Sequence, residues 1–329
     1  MKVTFSAPGK ITIFGEHAVV YGRPAIVGSI DKRIYVTMER RNDNCIKILA
    51  EDLSFKGLSI KIGDRIEVEA NDRILEALKY IVKAIEIASE YINEKSGMNI
   101  SISSEMPVGA GLGTSAAITV ATLAAYSYIL GHELSLNEIA KLGHTVELTV
   151  QGIASPMDTT ISTFGGLIYL MPNVGFEQLS LNNELDLILG HVKRDESTAK
   201  MVKKVREIKE RNEKIIEMIM SSIGAIAEEG KWAIIKGDVE KLGLLMNINH
   251  GLLESLGVST KLINDMVYAS RNVGAIGAKL TGAGGGGCII ALCPGRKKEV
   301  SLAIKLVGGN PMDFKLSMEG LKRHNTQLL

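Results

Sequence analysis

The stretch Met106-Pro107-Val108-Gly109-Ala110-Gly111-Leu112-Gly113-Thr114-Ser115-Ala116-Ala117 decides how this chain is read. Its alternate glycines leave successive backbone N–H groups unshielded by Cβ atoms, and two hydroxyls follow at once. Upstream, residues 99–103 alternate apolar and polar like a strand. Downstream, 116–130 is alanine-rich and long enough for a helix that stops at Gly131. The loop therefore opens a helix, and a helix N-terminus offers unpaired donors and about half a positive charge. This is a cradle for an anion, phosphate above all. A Walker loop is excluded because no lysine lies between Lys95 and Lys141, and a G-x-G-x-x-G fingerprint fails because Gly113 follows Gly111 by two positions. The competing reading is a plain glycine-rich turn.

A chain of 329 residues favours two domains, since single cores stop growing near ~250–300 residues. With 38 basic and 37 acidic residues the formal net charge is +1, so no general attraction to nucleic acid or an anionic membrane follows. Cys45, Cys288 and Cys293 form no Cys-x-x-Cys pair and read as reduced thiols. No apolar run reaches ~18 residues and no charged-then-apolar leader precedes Ala7. The expectation is a soluble, cytoplasmic protein.

Taken in order, residues 2–6 read as a strand, Ala7-Pro8-Gly9-Lys10 as a turn, 11–14 as a strand resumed, and 34–40 and 45–49 as further strands. Lys10, Glu16 and His17 cluster where the backbone is expected to bend; charged residues also sit there simply because turns are wet. Residues 73–93 carry an apolar stripe with charges outside it, an amphipathic packing helix. Ser135-Leu136-Asn137-Glu138 is a capping box for a helix that runs past Val150. Glu147, near that helix's end, opposes the dipole; it is a solvated charge or the partner of a cation. Asp158 follows a proline turn, where an Asx-turn or helix cap is its unreactive reading. Residues 161–171 read as a strand holding Gly165-Gly166, and 185–192 as the first strand of a second domain.

One long helical stretch is expected over 197–229, its mixed charges a solvated face. Two helices capped by Asp238 and Ser259 follow, the second ending at Gly274, with Trp232 and His250 as packing residues. Lys279-Leu280-Thr281-Gly282-Ala283-Gly284-Gly285-Gly286-Gly287 then leads into an apolar strand. Four consecutive glycines before a buried strand imply close approach of something to the backbone. A last strand is expected over 314–318.

Three separated motifs, Pro8 to His17, Pro107 to Ala117 and Lys279 to Cys288, together resemble those of the GHMP kinases, a family of small-molecule kinases. The resemblance spans nearly the whole chain. It implies an α+β, two-domain GHMP kinase fold: a ribosomal protein S5 domain 2-like, ATP-binding N-terminal domain over 1–178 and a ferredoxin-like C-terminal domain over 179–329. Gly15-Glu16-His17-Ala18-Val19-Val20-Tyr21-Gly22 resembles the branch that phosphorylates mevalonate, with the phosphomevalonate-phosphorylating branch as the alternative.

Carried over onto matching positions, the resemblance implies Asp158 as catalytic base with Lys10 beside it, and Glu16, His17 and Thr198 as substrate contacts. It implies Mg²⁺ on Ser115 and Glu147. ATP would lie on Pro107, Val108, Gly109, Ala110, Gly111, Leu112, Gly113, Thr114, Ser115 and Ala116, with Gly284 and Gly285. Animal members carry an arginine two residues before the threonine, where this chain has Glu196. ATP and mevalonate are the implied partners, with a homodimeric state and no nucleic acid or membrane. A nucleotide-binding module without catalysis would have no need for Lys10, Glu147 and Asp158 together.

Overall fold

The computed structural model describes residues 1–43, 45–50, 58–60, 72–107, 109–181, 184–194 and 196–324. The first sheet is built on two long strands, β1 (Lys2–Phe14) and β2 (Ala25–Arg40), paired antiparallel. Neighbours extend it through β3 (Ile46–Ala50), β4 (Leu58–Ile60), β5 (Met98–Ser104), β6 (Leu167–Met171) and β7 (Gly175–Gln178). The expected turn at Pro8-Gly9 is instead part of β1, where the register against β2 shifts between Pro8 and Lys10. A Cβ on Gly9 would lie 2.1 Å from Met106 Sδ and 3.1 Å from Leu112 O, so the bulge and its glycine admit the Gly109–Gly113 loop onto the strand.

Four helices cover this sheet. α1 (Asp72–Ile92) follows the expected stripe, burying Leu78, Ile81, Val82, Ile85 and Ala88. α2 (Thr114–Ile129) is buried along almost its whole length, its small side chains allowing close packing on β1 and β2. α3 (Leu136–Gln151) begins with the full Ser135–Glu138 capping box. Residues 161–164, expected as strand, belong instead to α4 (Met157–Phe164), because Gly165 and Gly166, both at positive φ, end a helix here rather than interrupt a strand.

The second half contains β8 (Leu187–Val192), α5 (Thr198–Arg211), α6 (Glu213–Lys236), α7 (Val239–Ser255), α8 (Lys261–Asn272), β9 (Gly277–Thr281), β10 (Gly287–Leu292), α9 (Lys297–Leu306) and β11 (Asn310–Asp313). Its antiparallel sheet runs β11-β8-β10-β9, the ferredoxin-like order with helices as crossovers. β8 and β10 are buried on both faces: Leu187, Leu189, Ile290 and Leu292 join one core, while Ile188, Val192, Ile289 and Ala291 join the other.

Three expectations are corrected here. The stretch over 197–229 breaks at Asn212, whose side-chain amide donates to Ile208 O, so two helices form instead of one. Thr260, not Ser259, caps α8. Trp232 is 52% exposed, with the Lys231 ammonium 5.5 Å from its ring, whereas His250 is buried as expected. The end of the chain also differs: 315–317 makes only an isolated bridge to β2, and β12 (Lys322–His324) returns to the free edge of β1. The three cysteines are unpaired. Among the described residues no helix is long and apolar enough to cross a membrane.

Candidate active site

Lys10 leaves the β1 bulge 5% exposed, its Nζ 3.1 Å from Asp158 Oδ1 and 3.3 Å from Thr12 Oγ1. Asp158 lies in the first turn of α4, where a carboxylate complements the helix dipole; its buried Oδ1 has no hydrogen-bond partner beyond this ion pair. Fold and chemistry thus agree on one atom. Asp158 therefore sits inside a helix turn against a buried ammonium.

Glu147 is not the solvated charge that its place near a helix end suggested: it is 2% exposed, and Ser115 Oγ donates to its Oε1 at 3.4 Å. Burial, reinforced by Asp158, pushes its carboxyl up to about 8, against the lowering effect of Lys10 and the Ser115 bond. A buried carboxylate short of positive charge suits a hard cation that takes oxygen ligands. Among the described residues no group of three or more His, Cys, Asp or Glu is arranged to hold a metal. Ser115 and Glu147 can therefore supply part of a Mg²⁺ shell, leaving phosphate oxygens and water for the rest.

Between the halves lies a cleft with Lys10, Asp158, His17, Thr198, Ile153 and Val202 on its walls. His17 adopts φ 60, uncommon for a residue with a Cβ, and its Nε2 lies 2.9 Å from Ala283 O. Since a carbonyl only accepts, Nε2 carries the proton. Burial holds the imidazole down to about 4, so it is neutral near pH 7. Glu16 also borders the cleft, yet both its oxygens are engaged: Lys279 donates to Oε1, and Asn249 Nδ2 to Oε2 at 3.1 Å.

Thr198 opens α5, exposed at the rim, and its Oγ1 accepts from Arg194 Nη1 at 3.0 Å. Arg194 escaped the sequence reading, which looked for an arginine two residues before Thr198 and found Glu196. The guanidinium arrives from four residues before, off the end of β8. Its Nε donates to Gly284 O at 3.1 Å, while the buried Nη2 has no hydrogen-bond partner among the described residues. The signal available in the sequence was only the Lys193-Arg194 pair ending an apolar strand.

The first glycine loop meets the N-terminus of α2 as expected. Gly109, Gly111 and Gly113 have φ between 73° and 80°, Gly113 is the N-cap, and Lys10 N donates to Leu112 O at 2.8 Å. Ala110, Leu112 and Ala116 are fully buried, backbone included; Pro107 is exposed, Thr114 and Ser115 half-buried. Val108 lies outside the described residues. In the second glycine loop Gly285 N donates to Val258 O at 2.9 Å, and Gly284 O accepts from Arg194.

Family models for the GHMP kinases N terminal domain and the GHMP kinases C terminal match residues 79–166 and 231–309. This chain belongs to the GHMP kinase family. A mevalonate kinase from Pyrococcus abyssi is 49% identical to this GHMP kinase over 97% of both chains. A crystal structure of Methanococcus jannaschii mevalonate kinase superposes with a TM-score of 0.80 at 33% identity, covering 95% of this chain and 98% of that one. The L. major mevalonate kinase in complex with R-mevalonate has the same TM-score at 25% identity over 96% of both chains.

Proposed function

We propose that this GHMP kinase transfers the γ-phosphoryl group of ATP to the 5-hydroxyl of (R)-mevalonate, giving 5-phosphomevalonate. The observation that carries the reaction type is the Lys10–Asp158 pair, 3.1 Å apart, beside the cleft and near the anion-binding end of α2. The substrate rests on the family relationship and on residues 15–22, with near-full-length relatives named as mevalonate kinases.

In this reading Asp158 accepts the proton of the acceptor hydroxyl, which becomes the nucleophile toward the γ-phosphorus. Lys10 lies beside the same carboxylate and balances the negative charge that develops as the P–O bond to ADP lengthens. The backbone N–H groups of 109–115 hold the phosphates, while Arg194, with one guanidinium nitrogen unpaired, can pair with the oxygens in transit. Mg²⁺ on Ser115 and Glu147 would neutralise phosphate charge when bound. Thr198 and the neutral His17 orient the acceptor. The division at 178/179, a homodimeric state and a cytoplasmic setting belong to the same reading and rest on the family resemblance.

The test is ADP release from Mg-ATP with mevalonate, 5-phosphomevalonate, galactose and homoserine in parallel, the product identified by NMR. Turnover of mevalonate alone, with phosphate on the 5-oxygen, is the expected result. Turnover of only another acceptor keeps the kinase and overturns the substrate.

A further inference from the structure

Glu16, Lys279 and Asn249 form a buried cluster that phosphoryl transfer does not use. All three are at most 3% exposed. The Glu16 carboxylate stands at the end of β1 in the first half, Lys279 on β9 and Asn249 on α7 in the second. Lys279 Nζ donates to Glu16 Oε1 and to Leu280 O, and Asn249 Nδ2 to Glu16 Oε2. The ion pair takes two charges wholly out of water, a poor device for stability, because an apolar pair of similar volume does as well or better. It is an effective device for fixing geometry.

What it fixes is visible on either side. Thr281 Oγ1 accepts from Thr12 N and donates to Thr12 O, both at 2.9 Å, and His17 Nε2 meets Ala283 O. Residues 279, 281 and 283 thus alternate along one edge and engage 16, 12 and 17 of the other half. His17 directly follows Glu16 and holds φ 60, a conformation that persists only where its surroundings over-determine it. Both carboxylate oxygens hold a donor from the second half, so the orientation of Glu16 is set from inside the protein.

We propose that Lys279, assisted by Asn249, is a positioning residue for the acceptor side of the cleft: it grips Glu16 as a strut, so that His17 and Ala283 keep their places on the wall. In this assignment Glu16 acts on the acceptor through His17, which follows it directly. This rests on the phosphoryl-transfer reading above.

The experiment is a double-mutant cycle on the full chain with Lys279→Met, Glu16→Gln and the pair together, each checked for folding by circular dichroism at the assay temperature. Each single substitution is expected to lower kcat/KM for mevalonate about tenfold or more, as residues in one network do when uncoupled. Affinity for a non-hydrolysable ATP analogue, measured by calorimetry, stays at the wild-type value. The double variant is no worse than the weaker single. Two results overturn the assignment: effects that multiply in the double variant, which mean that Glu16 touches substrate independently, or folded Lys279→Met with wild-type kcat/KM, which means a purely structural pair. Should Lys279→Met not fold, the cycle of Glu16→Gln with Asn249→Ala is read by the same criteria. An unaltered protein that does not turn over mevalonate overturns the functional reading instead.

Discussion

The two glycine-rich loops look alike in sequence and serve opposite ends. At Gly109 an added Cβ would meet nothing within 4 Å among the described residues and at Gly111 only Arg194 at 3.8 Å, so these two positions are open toward whatever lies outside the chain, while at Gly113 it would lie 2.6 Å from Lys10 Cγ. At Gly284 the same atom would lie 2.2 Å from Val258 O, at Gly285 2.9 Å from Glu196 and Met201, and at Gly286 2.6 Å from Lys193 O. The second loop is glycine-rich on behalf of the protein's own backbone. Missing side chains therefore mark close approach, but only the surroundings say by whom.

The contrast can be broken by substitution, and the largest effects are expected behind the open loop. Lys10→Met should cost roughly 10²–10³ in kcat, as loss of a preorganised charge does, and Asp158→Ala roughly 10²–10⁴, as loss of a general base does. Both should leave nucleotide binding intact. Near-normal turnover by either folded variant removes the reason for placing the chemistry there. Gly284→Ala comes next, and its damage should be to the fold: left-handed strain plus overpacking amounts to roughly 2–5 kcal/mol, read by denaturant unfolding.

Acid should also loosen the second loop. His17 lies against Ala283, and His250 Nδ1 accepts from Leu280 N at 3.3 Å; burial lowers both imidazoles from 6.5 to about 4. Between those limits the unfolded chain binds protons that the folded one refuses, so stability present above pH 6.5 is lost as pH falls. The loss approaches roughly 3 kcal/mol per histidine near pH 4. A melting temperature flat from pH 7 to 4.5 would contradict this. The smallest effect on stability is expected for Gly109→Ala, about 1–2 kcal/mol of left-handed strain, with a raised KM for ATP as its main signature. If Gly109→Ala proves the more destabilising of the two glycine variants, the contrast between the loops is wrong.

Local features of the fold were legible where the signal is local. The capping box at Ser135, the stripe of α1 and the strand–loop–helix around Gly109–Gly113 all depend on residues within one or two turns. Pro8-Gly9 misled because a bulge and a turn share their residue preferences, and only the approach of Met106 distinguishes them. Gly165-Gly166 misled in the same way, as a helix stop. Lys10 and Ser115 lie in the quoted motifs, and Asp158 was named through the family resemblance. The burial of Glu147, the arrival of Arg194 and the Glu16–Lys279 pair depend on partners that no window of sequence contains, the last 263 residues apart. Charge on an isolated residue reads as exposure until its opposite is seen.

The return of β12 to the edge of β1 has a consequence for synthesis. Ser6 Oγ is bound by His324 Nε2, 318 positions away, and Arg33 holds the carbonyls of Glu319 and Gly320. A ribosome that has already delivered all of α2 and its phosphate loop still retains the strand that closes the first sheet. The N-terminal half must therefore wait, one strand short and with an open edge, until residues 322–324 have been made.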